Sequence, residues 1–209
     1  MPDLIPLGPA PHGEGPRERK KRETRQRVAE TGLRLFLAHG FDDTTLDVIA
    51  EAAGISRRAF FSYFKSKDDI VMFWQGAGWA SVRADLLRTS PDVPPLDAVR
   101  DVVVRHISSY STEEMRAMDR LMRSSESLMS RKQAFYAEQE LALFDTLCEV
   151  WRQPERRMGL RMVAIVSIGA LKLTTQLWGD QGSESKPMAD IFRKALDDLA
   201  LELGSTLPR

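Results

Sequence analysis

Short helical segments separated by very short turns, between residues 44 and 70, constrain the fold of this chain more than any other feature. Thr44 with Asp47 fits a capping box and begins a short helix that Gly54 ends. Ser56 suits the N-cap of the next helix, which has room for only two turns. Short helices joined by turns of three or four residues predict a helix-turn-helix unit.

The remainder of the chain is also predicted to be helical. A first helix over 18–38 ends before Gly40, because glycine adopts a left-handed backbone at little cost. A long fourth helix follows the helix-turn-helix unit, with Ser66 and Asp69 as its predicted capping pair. Further helices are expected at about 96–110, 113–124, 127–152, 155–179 and 188–203. No segment alternates apolar and polar residues with the period of a strand, so the predicted fold class is all-α.

Composition divides the chain into three predicted parts. Residues 1–16 contain five prolines and three glycines with few large apolar side chains, which indicates a disordered arm. Residues 17–66 are the predicted three-helix domain, with its helix-turn-helix at about 45–64. Residues 67–209 form a second helical domain.

Positive charge is concentrated near the front of a chain whose net charge is zero. Residues 17–67 hold 12 Lys or Arg against 7 Asp or Glu, a net charge of +5. After residue 67 there are 18 basic and 21 acidic residues. A basic patch in the first domain is able to attract a polyanion.

Cysteine usage and the start of the chain indicate the cytoplasm. Cys148 is the single cysteine, so no disulfide framework is expected within the chain, and the first residues do not resemble a secretory signal. The longest apolar run, 162–171, has ten residues, which is short for a membrane span. The three histidines are isolated, so neither a metal site nor a cofactor is expected.

The segment RRAFFSYF divides into two faces when it is drawn as a helix. Phe60 and Phe64 lie four residues apart and are predicted to face inward. The predicted outward side chains are Arg57, Arg58 and Phe61, with Tyr63 and Lys67 at the exit of the helix. Arginine can pair bidentately with guanine and an aromatic ring can contact a thymine methyl group, so the outer face suits a DNA major groove.

The stretch TTLDVIAEAAGISRRAFFSYFKSKDDI closely resembles the DNA-binding signature of the TetR family of bacterial transcriptional regulators. This resemblance covers residues 20 to about 75. It implies an N-terminal three-helix DNA reader followed by a helical domain that binds a small effector and forms a homodimer. Phe61 departs from the family's usual tyrosine. The residues expected to contact DNA are Thr45, Ser56, Arg57, Arg58, Phe61, Tyr63 and Lys67.

The C-terminal domain resembles a subgroup of that family whose effectors are acyl-coenzyme A-like molecules, through the helical pattern of RLMRSSESLMSRKQAFYAEQELALFDTL. An apolar set there is able to line a tunnel for an acyl chain. The alternative interpretation is that the same side chains form an ordinary core. The residues expected to bind the effector are Trp79, Arg120, Met122, Phe135 and Phe144.

The last two long helices carry the predicted dimer interface. The stretch 162–173 is apolar on nearly every side, and leucines and a phenylalanine in the final helix form a narrow seam. The residues assigned to the interface are Val166, Leu173, Trp178, Phe192, Leu196 and Leu199.

Together these patterns predict a dimeric, sequence-specific repressor that binds a palindromic operator and is released by an apolar or amphipathic effector. A constitutive DNA-binding dimer without an effector is the principal alternative. A helical hydrolase is a remote one, because the sequence has no nucleophile elbow and no phosphate-binding glycine loop.

Overall fold

A computed structural model describes residues 15–180 and 186–206, and within these ranges the chain forms helices and no strand. The all-α prediction is confirmed. The predicted disordered arm, 1–16, lies outside the described residues except for Gly15 and Pro16, and the first helix already begins at Pro16. The helices are α1 (Pro16–His39), α2 (Leu46–Ala52), α3 (Arg57–Phe60), α4 (Asp68–Leu86), α5 (Pro95–Ser108), α6 (Thr112–Arg123), α7 (Glu126–Val150), α8 (Arg157–Asp180, after a 3-10 turn at Pro154–Arg156) and α9 (Met188–Thr206).

Two glycines end the first two helices of the chain. Gly40 has φ +92° and its amide donates to the carbonyl of Phe36 at 2.9 Å, while Gly54 has φ +66°. Both backbones lie in the region that favours glycine. The turn after Gly54 leads into α3, which has four residues rather than the predicted two turns.

The described chain separates into two compact units. The first contains the residues up to Ser81 together with Ala117–Ala134, and the second contains Val82–Arg116 and the chain from Phe135 onward. The first unit therefore adds most of α4 and the α6–α7 elbow, Ala117–Ala134, to the domain predicted at 17–66. The domain bounds at 17–66 and 67–209 stay a prediction.

The first unit has an apolar core built from α1 to α4 and the elbow. Gly32 lets α1 pack closely on α4, since a Cβ at that position would lie 2.7 Å from the Cδ1 atom of Ile70. Large side chains from every helix of the unit are almost completely buried. They include Leu33, Phe36, Ile49, Phe60, Phe64, Ile70, Met118, Met122 and Leu128.

The second unit packs α5, α8 and α9 around another buried set. Its fully buried or nearly buried side chains include Val99, Leu147, Trp151, Leu160, Ala164, Ile168, Phe192 and Leu196. The Trp151 indole N–H donates to the carbonyls of Pro91 at 2.8 Å and Val93 at 3.2 Å. These bonds tie the end of α7 to the turn that precedes α5.

One described segment, Pro154–Asp180, is long and apolar enough to cross a membrane by length and composition alone, with a mean hydropathy of 1.4 in its most apolar window. Its apolar side chains divide between two faces of α8. Leu160, Ala164 and Ile168 are buried in the second unit, while Met162 and Leu173 are about half exposed. The burial of one face accounts for part of the apolar character of α8.

Candidate nucleic-acid interface

The short helix α3 is held in place by its cap and by its inner aromatic face. A helix of four residues is unstable on its own, because helix nucleation is costly. The Ser56 hydroxyl accepts a hydrogen bond from the Ala59 amide at 3.1 Å. Phe60 is completely buried and its ring centroid lies 6.0 Å from that of Phe64. Both phenylalanines face inward, as the sequence pattern predicts.

The outer side of α3 carries two arginines and an aromatic ring that are open to solvent. Arg57 and Arg58 are exposed, and Phe61, directly after the helix, is 49% exposed. The Phe61 ring meets the edge of the buried Phe60 ring at a centroid distance of 5.7 Å. An exposed phenylalanine beside two arginines has the chemistry for base edges and thymine methyl groups.

The two arginines differ in what they contact. One guanidinium nitrogen of Arg57 lies 2.8 Å from a carboxylate oxygen of Asp47 on α2. Arg58 forms no ion pair with any residue of the described part of the chain. Exposed ion pairs contribute about 0–1 kcal/mol, so a stronger acceptor can draw Arg57 away from Asp47. Arg58 is therefore the simpler residue on which to test recognition.

Thr45 and Ser56 both occupy N-cap positions. The Thr45 hydroxyl accepts from the Val48 amide at 3.3 Å, and Thr45 itself is exposed. Thr44 is instead buried, and its hydroxyl donates to the Gly40 carbonyl at 2.7 Å, so Thr45 is the residue that caps α2. A capping hydroxyl accepts the backbone hydrogen bond through a lone pair of its oxygen, so its own O–H can still donate to a phosphate oxygen. Both hydroxyls are compatible with the predicted DNA contacts.

Lys67 lies in a more enclosed position than the sequence suggests. Its ammonium donates to the Phe41 carbonyl at 2.6 Å and to the Asp42 carbonyl at 3.4 Å, and it sits 4.3 Å from the Phe41 ring centroid. These contacts hold the turn between α1 and α2. Tyr63 is also half-buried against the core of the first unit. A DNA contact by either residue stays a prediction.

Asp69, at the start of α4, joins the turn that follows α3 to the α6–α7 elbow. Its carboxylate accepts from the amides of Lys65 at 2.8 Å and Ser66 at 3.2 Å, and it pairs with Arg131. Burial acts to raise the pKa of Asp69, but the Arg131 pair and the backbone hydrogen bonds hold that pKa below its usual value. The capping pattern is visible in the sequence, whereas Arg131 is remote in sequence and gives no signal.

The five residues predicted to bind an effector are divided between the two units. Trp79, Arg120 and Met122 belong to the first unit, and Phe135 and Phe144 belong to the second. Met122 is 1% exposed and packs in the core of the first unit, so its contact with an effector stays a prediction. The Phe144 ring is contacted instead by the guanidinium groups of Arg157 and Arg161, at 5.0 and 5.5 Å.

A cleft of about 210 Å³ opens in the second unit, and none of the five predicted effector residues lines it. Burial, with a smaller contribution from the Glu114 carboxylate, raises the pKa of the Tyr110 hydroxyl, so this phenol stays neutral. Segments that are distant in sequence build the cleft, which is why no local pattern indicates it. Its walls are formed by Ile107, Ser108, Tyr110, Thr112, Met115, Trp178, Pro187, Met188 and Ala189.

Three of the residues assigned to a dimer interface are instead buried within the chain. Trp178, Phe192 and Leu196 are at most 4% exposed, and they belong to the interior of the second unit. Their assignment to an interface is corrected, because a side chain already covered by its own chain has no surface left for a partner. Leu173 is 48% exposed, while Val166 and Leu199 are partly exposed.

In the part of the chain that the structure describes, no three His, Cys, Asp or Glu side chains cluster in an arrangement that could hold a metal ion. The exposed side of α3 and the caps of α2 and α3 carry cationic, hydroxyl and aromatic groups. Such groups bind nucleic acid without a metal.

In comparison with known proteins, the same segment matches a family model. Residues 29–72 match the family model of the bacterial regulatory proteins of the tetR family. These residues contain α2, α3 and the parts of α1 and α4 that pack around them.

Curated relatives resemble part of the chain. The transcriptional regulator TcmR from Streptomyces glaucescens is 44% identical over 62 residues, which are 30% of this chain and 27% of TcmR. The transcriptional regulator AcrR from Shigella flexneri is 31% identical over 103 residues, which are 48% of each protein. The chain thus matches less than half of the length of these two relatives.

A solved structure shares the fold over most of the chain. Thermus thermophilus FadR, a TetR-family transcriptional repressor in complex with lauroyl-CoA, aligns with a TM-score of 0.60 over 88% of this chain and 96% of its own. The sequence identity is 23%. This likeness shows that the arrangement of an N-terminal helix-turn-helix domain and a helical C-terminal part is common to both proteins.

Proposed function

We propose that this chain, whose N-terminal domain belongs to the TetR family of bacterial regulatory proteins, is a sequence-specific DNA-binding repressor of transcription in the cytoplasm. The observation that carries the proposal is the outer face of α3. Arg57, Arg58 and Phe61 are exposed there, while Phe60 and Phe64 fix the helix from inside. The curated relatives are named as transcriptional regulators, which leaves the enzymatic alternative without support.

Recognition of specific bases is tested at Arg58. Selection from a random duplex library first gives the preferred operator. Arg58→Ala is then expected to cost about 1–3 kcal/mol in operator affinity, because a bidentate arginine–guanine pair is lost, and to leave the melting temperature unchanged. Competition titrations with specific and random duplexes measure the loss.

The matched control for this substitution is Arg152→Ala, an exposed arginine of the second unit. Its effect on operator affinity is expected to be negligible. Equal operator affinity of the Arg58 variant and the wild type would remove Arg58 from the reading face. Failure of the wild type to select any sequence would instead argue against the proposed function itself.

We further propose that the protein is a homodimer on a palindromic operator and that α8 supplies the contact. Five apolar side chains of α8 are 39% to 76% exposed and follow one another along the helix. Gly169 lies between them, and a Cβ there would meet no atom within 4 Å, so a second helix can approach closely. A large exposed apolar surface of this kind is typical of an interaction site. The residues are Met158, Met162, Ile165, Leu173 and Leu177.

The effector is proposed to be a small apolar or amphipathic molecule. The fold is shared with FadR, which binds lauroyl-CoA, and this supports an acyl-CoA-like effector. The cleft beside Tyr110 and Trp178 has a volume of about 210 Å³, below the roughly 300–1,000 Å³ of usual ligand pockets. It suits a compact molecule better than a long acyl chain. A thermal-shift screen of acyl-CoA species, fatty acids and drugs distinguishes these classes.

Release by an effector has a reciprocal consequence. If the effector lowers operator affinity by some factor, operator DNA must lower effector affinity by the same factor, which is typically about 5–150. Calorimetric titration of a compound found in the screen, with and without operator, is expected to show this increase in its dissociation constant. Identical constants would favour the alternative of a constitutive DNA-binding dimer.

A further inference from the structure

The net positive charge of residues 16–67 lies entirely in the first half of α1. Residues 16–27 contain seven Lys or Arg and two Asp or Glu, a net charge of +5. Residues 28–67, which include α2 and α3, contain five of each and have no net charge. Residues 28–67, including α2 and α3, therefore supply little of the sequence-independent electrostatic attraction to a polyanion.

This basic half of α1 extends beyond the hydrophobic core. Residues 16–25 are exposed or partly exposed, and the first buried residue of α1 is Gln26. The segment PRERKKRETR has no large apolar side chain on any face. A helix that is polar on every side needs support other than burial.

Intrahelical ion pairs give the segment only weak support. Arg19 and Glu23 are 3.8 Å apart and both are largely exposed. Arg17, Lys20 and Lys21 lie three and four residues apart, a spacing at which like charges repel on a helix. An anionic partner removes this repulsion.

Arg25 shows where the basic segment lies relative to the reading helix. Its guanidinium carbon is 5.2 Å from the Phe64 ring centroid and 4.7 Å from that of Phe73. Phe64 follows α3 by four residues. Because Arg17 and Lys21 precede Arg25 by eight and four residues, they share its side of α1. Arg17, Lys21 and Arg25 thus form a basic row along one side of α1. The row begins at Arg25, beside Phe64, and runs away from the segment that carries Arg57, Arg58 and Phe61.

We infer that the first half of α1 binds the phosphate backbone of the same DNA duplex that α3 reads. The inference rests on the proposed function. Phosphate contacts supply most sequence-independent affinity, and α2 and α3 lack the net charge for it. A lipid surface is the poorer occupant, because membrane-surface helices need an apolar face that this segment does not have.

The test is a triple substitution, Arg17→Gln, Lys20→Gln and Lys21→Gln. Binding to a fluorescein-labelled 24-bp duplex of arbitrary sequence is measured by anisotropy between about 50 and 200 mM KCl. Each lost phosphate contact lowers the slope of log K against log salt by about 0.9, so the triple variant is expected to lose up to about 3 from its slope. The ratio of specific to random affinity stays unchanged, in contrast to the Arg58 variant.

The control removes three exposed arginines from the second unit, Arg105, Arg152 and Arg156, each as Arg→Gln. It has the same net charge as the test variant and is expected to keep the wild-type slope. Equal slopes for the wild type and the test variant overturn the inference, and so does an equal loss in the control. Loss of binding to phosphatidylserine vesicles with an unchanged DNA slope overturns it in favour of lipid. A wild type that binds no duplex at low salt overturns the proposed function as well.

Discussion

The double substitution Ile165→Asp and Leu173→Asp is expected to dissociate the dimer into monomers and to lower operator affinity by about 10²- to 10⁴-fold. Both residues lie on the exposed apolar face of α8, with exposures of 39% and 48%. An interface there buries their side chains, and a carboxylate buried without a partner is strongly unfavourable. Two linked reading helices gain affinity by binding two half-sites together, and monomers lose that gain.

Sedimentation velocity at micromolar concentration measures the dissociation, and anisotropy on duplexes with one or two half-sites measures the loss of affinity. Leu87→Asp is the control, because Leu87 is 42% exposed and lies outside α8, after the end of α4. It is expected to leave the dimer intact. A double variant that sediments as a dimer and keeps its operator affinity would show that the interface lies elsewhere.

The local parts of the first unit can be predicted from the sequence, since their signals are local. A glycine with positive φ at 54, a hydroxyl cap at 56 and a pair of phenylalanines four residues apart each act within one or two turns. These features predict the position of α3 and the direction of its two faces. The length of α3 is overestimated, because the aromatic pattern continues into the turn that follows Phe60.

Residues in the last two helices show where the same reasoning fails. The spacing of Phe192 and Leu196 indicates one apolar face of α9, and that face packs inside the second unit. Hydrophobic period predicts that a face is covered but does not identify what covers it. The face left open belongs to α8, whose apolar residues surround the helix and so give no preferred direction in the sequence.

Contacts between segments that are distant in sequence are also beyond local prediction. Asp69 is recognised from its cap, but its pair with Arg131 depends on how the α6–α7 elbow packs on the first unit. Met122 similarly has the apolar character of a tunnel residue and the packing of a core residue. The cleft beside Tyr110 and Trp178 is formed by residues within two segments that are distant in sequence, 107–115 and 178–189. Tertiary packing determines all three.

Phe60→Ala and Phe61→Ala, two adjacent substitutions of the same kind, are expected to have different effects, the first mainly on stability and the second mainly on DNA recognition. Phe60 is completely buried, so its removal leaves a cavity and costs about 3–5 kcal/mol of unfolding free energy. That is a large share of the roughly 5–15 kcal/mol that stabilises a typical domain. Urea denaturation followed by circular dichroism measures the loss, and α3 is expected to unfold first because four residues cannot hold a helix without their anchor.

Phe61→Ala removes a half-exposed ring, so its cost in stability is expected to be smaller than that of Phe60→Ala; the edge contact with Phe60 contributes about 0.5–1.5 kcal/mol of it. Operator affinity is expected to fall as well, with the largest loss on operators that have a thymine methyl group opposite this position. Replacing that thymine by uracil removes the methyl group alone, and it should weaken the wild type while leaving the Phe61 variant unchanged. A variant at Phe61 that unfolds as readily as the one at Phe60, or that still distinguishes thymine from uracil, would contradict the division of α3 into an anchoring face and a reading face.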